Sequence, residues 1–241
     1  MIAYLYTRHS LCQLQQSDCV SLTSTFNCVT CFQLTNGDAV WIVPLFSWYA
    51  KPEEDADDSL HVKPTSGQAE NVKYMEQVWM DNVHCRWDVN LPTGLTPSHY
   101  FAALNEPYLS TNYDAPVISF SHFVPNVELI GSTPADEREV ARERQRLGLG
   151  AAPPRQGAFA GFNFTRYAGS HVLQRQIERL APALHVFGHQ HRNRDRCVRG
   201  VRYVSHSLGS VREQNDGWSW GIAEWHGPKQ IWPPLDDARP T

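Results

Sequence analysis

The 241-residue sequence predicts an α/β protein, and three observations carry that expectation. Two short apolar runs, residues 116–120 and 184–187, each stop abruptly at a histidine, as buried strands do at the edge of a sheet. A helix signature precedes each run, so the chain twice reads helix, strand, histidine. The longest near-continuous apolar stretch, 39–50, is interrupted by Pro44 and is far too short to span a bilayer, so a soluble chain without a membrane span is expected.

Taken in order, residues 1–33 resemble no targeting sequence: the apolar opening 1–6 is too short and lacks a basic flank. The cytosol is therefore the default location, the compartment itself being unspecified. Cys28-Val29-Thr30-Cys31 has redox or zinc spacing, but no second close cysteine pair accompanies it. A reduced pair in or beside a strand is the simpler reading, and 20–32 has strand composition. Asn36-Gly37-Asp38 reads as a hairpin turn into a strand over 39–43. Residues 51–71 are acidic and polar, headed by Lys51-Pro52-Glu53-Glu54-Asp55-Ala56-Asp57-Asp58, and are expected to form a solvated loop. Arg86, beside Trp87, is either a cation stacked for structure or a contact to phosphate or substrate.

Residues 97–109 carry a helix signature with Ser98 as cap. The strand over 116–120 follows, rich in β-branched and aromatic residues, and Pro125 forbids its simple continuation past Ser121-His122. Residues 134–147 place Glu and Arg at helical spacing and read as a solvated helix or mobile insertion, with a Gly-Pro-rich link over 148–157. Ser170 caps a helix to about Leu180, whose Val172, Leu173, Ile177 and Leu180 fall largely on one face. After the strand over 184–187, Gly188 lets the backbone turn sharply and present His189 and His191. A hairpin around Arg199-Gly200 spans 197–204, an alternating strand occupies 218–225, and the tail from Gly227 is loose.

His122 alone would read as a core histidine, and Gly188-His189-Gln190-His191 alone as a turn with two solvated rings. Two strand-end histidine motifs in one chain point instead to a shared metal site, since neutral imidazole is a ligand for zinc, iron and manganese. His185 lies inside a strand and is expected to be structural. His206 could approach the site from the end of the hairpin. A Ser121–His122 hydrolase pair is disfavoured because adjacent side chains in a strand point apart.

Taken together, Ile118-Ser119-Phe120-Ser121-His122-Phe123-Val124-Pro125 and His185-Val186-Phe187-Gly188-His189-Gln190-His191 resemble the C-terminal half of a calcineurin-like metallophosphoesterase. Trp41-Ile42-Val43-Pro44-Leu45-Phe46-Ser47-Trp48-Tyr49, Cys85-Arg86-Trp87, Gly169-Ser170 and Gly200-Val201-Arg202-Tyr203-Val204 extend the resemblance across about residues 38–225. It implies a four-layer α/β/β/α sandwich, hydrolysis of a small phosphorylated substrate, and two divalent or trivalent ions of manganese, iron or zinc that activate water. His122 and His189 would serve one ion and His191 the other. Arg86 and His206 become candidate substrate contacts, and no catalytic acid or base is assigned.

The family's upstream Asp-x-His, Gly-Asp and Gly-Asn-His motifs have no counterpart; Gly37-Asp38 belongs to the hairpin turn. The chain is therefore expected to be a fragment, a truncated gene model or a short isoform, with its first strands missing. On this reading 1–37 is a poorly matching lead, 38–226 a partial domain and 227–241 a tail. The alternative is an inactive remnant that binds a metal or a partner without turnover. A net charge of −4 offers no reason to expect nucleic acid.

Overall fold

The hairpin expected around Gly37 begins the sheet. The computed structural model describes residues 29–34, 37–64, 70–85, 91–151, 162–217 and 229–232. In it β1 (Thr30–Gln33) runs antiparallel to β2 (Ala39–Pro44), and Gly37 has the positive φ, 88°, that a tight connection favours. Parallel to β2 and to one another follow β3 (Val117–Phe120), β4 (Leu184–Val186) and β6 (Val201–Ser205), while β5 (Arg194–Val198) lies antiparallel along the outer edge of β6. The order β1-β2-β3-β4-β6-β5 makes a mixed six-stranded sheet.

Parallel neighbours require crossovers, and helices supply them. Between β2 and β3 come α1 (Val72–Val78), α2 (Met80–His84) and α3 (Pro97–Leu109); between β3 and β4 come α4 (Pro134–Arg146) and α5 (His171–Leu180). A short α6 (Val211–Asn215) follows β6. Side-chain alternation sorts the two faces of the sheet. Val40, Ile42, Ile118, Leu184 and Val204 share one apolar cluster, joined by Ile231 and Trp232. Val43, Val117 and Tyr203 belong to another, with Tyr108 and Leu109 of α3 and Leu173 and Ile177 of α5. Fully buried Asn105 fastens α3 in place, donating to Gln176 Oε1 and to the Phe46 carbonyl at 2.8 Å each and accepting from the Phe46 amide at 2.9 Å.

Several local expectations need correction. The cap of α3 is Thr96, not Ser98: Pro97 takes the first helical position, where its missing N–H costs nothing, and Thr96 accepts from the His99 amide. Helix α4 is more than a solvated insertion, because Val140, Glu143 and Arg144 are buried and Thr133 and Asp136 form a capping box. The acidic segment is not all solvated either: Asp58, Ser59 and Leu60 are buried, and Asp58 is paired with Arg175 at 2.6 Å. Ser170 does cap α5, and Arg199 and Gly200, both at positive φ, make the β5–β6 turn. The described residues form one sheet, not the two of the implied sandwich. Cys28, Arg86, the 218–225 strand and most of the tail lie outside the described residues.

Candidate functional site

In a parallel sheet every strand delivers its following loop to the same edge, and that edge is where ligands bind in open α/β folds. Here the loop after β3 carries His122 and the loop after β4 carries His189 and His191. Two backbone hydrogen bonds clamp the ends together, from Ser121 N to Val186 O and from Gly188 N to His122 O, both 3.0 Å. A third segment joins them: Val124 N donates to Ala168 O at 2.9 Å, and Ala50 N to Gly169 O at 3.1 Å. Only glycine suits position 169, since a Cβ there would lie 1.8 Å from the Val124 carbonyl oxygen.

This close approach sets the Tyr167 carbonyl 2.8 Å from Nε2 of His189. The carbonyl can only accept, so Nε2 carries the proton and Nδ1 of His189 is left with its lone pair. Nε2 of His122 lies 3.3 Å from that Nδ1. His191 is arranged in the same way from the other side: its Nδ1 is 2.9 Å from Oε2 of Glu213, so Nε2 is the ring nitrogen that would ligate a metal. Both His189 and His191 adopt left-handed backbone, at φ 69° and 54°. For residues with a Cβ this conformation costs roughly 1–2 kcal/mol each, and such strain concentrates at functional sites.

Burial sets the charge of these rings. His189 is pushed down to about 3, chiefly by burial, so it stays neutral at any ordinary pH. His122 is also lowered, by desolvation first and by the neighbouring His191 among other groups. His191 is raised by its hydrogen bond to Glu213. Burial alone would lift Glu213, but bonds from His191 and from the Ser210 amide outweigh it and hold the carboxylate at about 2.

The donor set suits a borderline transition metal. With Zn–N bonds of about 2.0–2.1 Å, two nitrogens on one tetrahedral ion stand about 3.3–3.4 Å apart, and His122 and His189 already show that spacing. The three imidazoles do not all bring ligand atoms within 4.8 Å of one another, so His191 stands apart from the pair.

All three histidines line a cavity of about 640 Å³ together with Trp48, Tyr74, Val78, Trp79, Met80, Asp81, Cys85, Phe123 and Phe162. Trp79 is its fixed wall, stacked on Tyr167 at 4.5 Å and tethered through Nε1 to Tyr49 Oη at 3.1 Å and Asp81 Oδ2 at 3.0 Å. His206 follows β6 and is not among the cavity's described lining residues. His185 is fully buried between Ser119 Oγ at 2.8 Å and Ser121 Oγ at 3.0 Å, a structural placement.

Sequence reading did not find Glu213, Trp79 or Asp81. Ser210-Val211-Arg212-Glu213 is a capping-box pattern from which α6 could have been read, but nothing in it points to His191. Asp55, Asp58 and His99 form a further candidate metal-binding group, the ring nitrogens of His99 lying 3.4 and 3.1 Å from the two carboxylates. It sits where α3 and α5 begin and is already knit together with Arg175.

No family model matches the chain, and no curated protein matches it. Among solved structures it is similar to the crystal structure of phosphopantetheinyl hydrolase from Mycobacterium tuberculosis, with 20% identity and a TM-score of 0.41 over 73% of this chain and 51% of that one. The chain thus spans about half the length of that protein. An overlap of that extent assigns no activity. Among the described residues, no helix is long and apolar enough to cross a membrane.

Proposed function

We propose that the chain carries the histidine half of a metallophosphoesterase centre and serves the hydrolysis of a phosphate ester. The observation that supports this most directly is the pair His122 Nε2 and His189 Nδ1, 3.3 Å apart with the far nitrogen of His189 pinned by the Tyr167 carbonyl. His122 and His189 would hold one ion, and His191, oriented by Glu213, the other. When bound, such ions acidify water and polarise the phosphoryl oxygens.

The chain's own residues keep the ligands ready. Burial holds His189 unprotonated, so no proton need leave it before it ligates. Glu213 fixes the ring of His191. The rings of Trp79, Phe123 and Phe164 crowd His189 at centroid distances of 5.7, 4.4 and 5.4 Å and exclude water from its flanks.

A non-catalytic metal-binding module is the second reading, favoured by one observation: among the described residues no carboxylate completes a ligand group around the histidine pair. Metal analysis together with turnover of bis(p-nitrophenyl) phosphate and p-nitrophenyl phosphate separates the two. The proposal expects zinc, manganese or iron to co-purify, hydrolysis of at least one ester, and loss of both in His189→Ala. Metal without turnover establishes the second reading, and no metal retention overturns both.

A further inference from the structure

The cavity beside the histidines is built for more than a phosphate group. Trp48, Tyr74, Trp79, Phe123 and Phe162 bring five aromatic rings to its walls, with Val78 and Met80 on the α1–α2 side. Those two are open to solvent, Met80 at 56% exposure. The volume of about 640 Å³ is that of a small-molecule pocket. Trp79 is held at three points, on Tyr167, Tyr49 and Asp81, so its ring is oriented before anything binds. Trp48 is likewise stacked on Tyr49 at 5.3 Å and set edge-on to Phe123 at 5.0 Å.

The charge of the lining is equally specific. Among the described residues that line the cavity there is no lysine or arginine, and the single carboxylate, Asp81, opposes any second anion. Among those described residues, a polyphosphate or a multiply phosphorylated sugar would meet no cation beyond the histidine centre. A planar apolar group would meet aromatic faces and edges, which attract one another beyond the area they bury.

From these walls we infer that the substrate is a phosphate ester of an alcohol bearing an aromatic or similarly planar apolar ring, an inference that rests on the phosphoesterase reading. The phosphoryl group faces His122, His189 and His191, and the ring lies along Trp79 towards Met80.

Binding separates this from catalysis. The zinc-supplied chain is titrated with 3-phenylpropyl phosphonate and with propyl phosphonate, which share a head group and differ only in the ring, and binding is followed by calorimetry. The phenyl compound is expected to bind about tenfold more tightly. Met80→Asp is expected to narrow that ratio at least threefold; since Met80 is solvent-exposed, the variant should fold, which a thermal melt checks. Trp79→Leu provides a second test of the same wall. Equal affinity for the two phosphonates overturns the inference and leaves the phosphoesterase reading in place. A ratio unmoved by either variant also overturns it. If neither phosphonate binds, the inference fails, and the zinc content of the same sample then decides whether the phosphoesterase reading fails with it.

Discussion

Oε2 of Glu213 lies 2.9 Å from Nδ1 of His191, and the same oxygen accepts from the Ser210 amide at 2.8 Å. One carboxylate therefore caps α6 and aims an imidazole. Glu213→Gln keeps a capping acceptor but loses the charge that favours the Nδ1–H tautomer. Metal affinity at the His191 position should fall about 10- to 100-fold, while the melting temperature changes little. Competition with a chromogenic chelator measures the first and calorimetry the second. Unchanged affinity would remove Glu213 from the site.

His191 itself occupies left-handed backbone at φ 54°. Asparagine tolerates that region better than most residues. His191→Asn should therefore retain the fold within a few degrees of Tm and still lose metal bound at that position. A variant that keeps its full metal content would show that His191 is not a ligand.

The approach of Gly169 to Val124 allows no compromise, because the atom a Cβ would strike at 1.8 Å is backbone, not the end of a flexible side chain. Gly169→Ala should cost about 3 kcal/mol or more, a drop of roughly 10 °C for a chain of this size. Denaturant titration checks the stability. Metal retention should fall with it, since this contact positions the carbonyl that orients His189.

His185 predicts a pH dependence of stability unconnected with ligation. Burial pushes it down to about 3, whereas the unfolded side chain titrates near 6.5. Between those values the unfolded chain binds a proton that the folded chain refuses, so stability must fall as the pH drops below about 6.5 and is unaffected above it. The full slope for one such group is about 1.4 kcal/mol per pH unit. His122, His189 and His206 are lowered as well and add to the total. The share of His185 is the difference between the chain and His185→Asn, whose stability between pH 7 and 5 should decline less steeply. Parallel curves for the two proteins would refute the assignment.

Arg166 is buried and paired with Glu53 and, at 3.1 Å, with Glu70; against the effect of burial, its hydrogen bond holds Glu53 below the usual carboxylate range, while Glu70 is held low first by hydrogen bonds from His61 and Asn163, with the Arg166 charge adding to them. Arg166→Met strands Glu70 beside His61 and Asn163 and should destabilise the fold by about 3 kcal/mol. Replacing Glu70 by Gln as well should recover part of the loss. An additive double variant would show that the pair is not coupled.

Much of the fold was legible in local chemistry. Ser170 before an apolar stripe, Arg199-Gly200 between two runs of strand composition, and Pro125 after Ser121-His122 each constrain only a few dihedrals, and each behaved in the structure as its chemistry requires. The histidines were legible for the same reason: a strand that stops at Gly188-His189 announces its edge in the sequence. What no local reading could supply was contact across the chain. Glu213 meets His191 across 22 positions and Tyr167 meets His189 across 22 more, and neither pair carries a sequence signal, because the hydrogen bond exists only once β4 and β6 lie side by side and Gly169 seats against Val124. The burial of Asp58, Glu143 and Arg144, residues whose polarity predicted solvent, was likewise decided by packing: the rest of the fold provides the partners and the surrounding surface that let a charged side chain leave water.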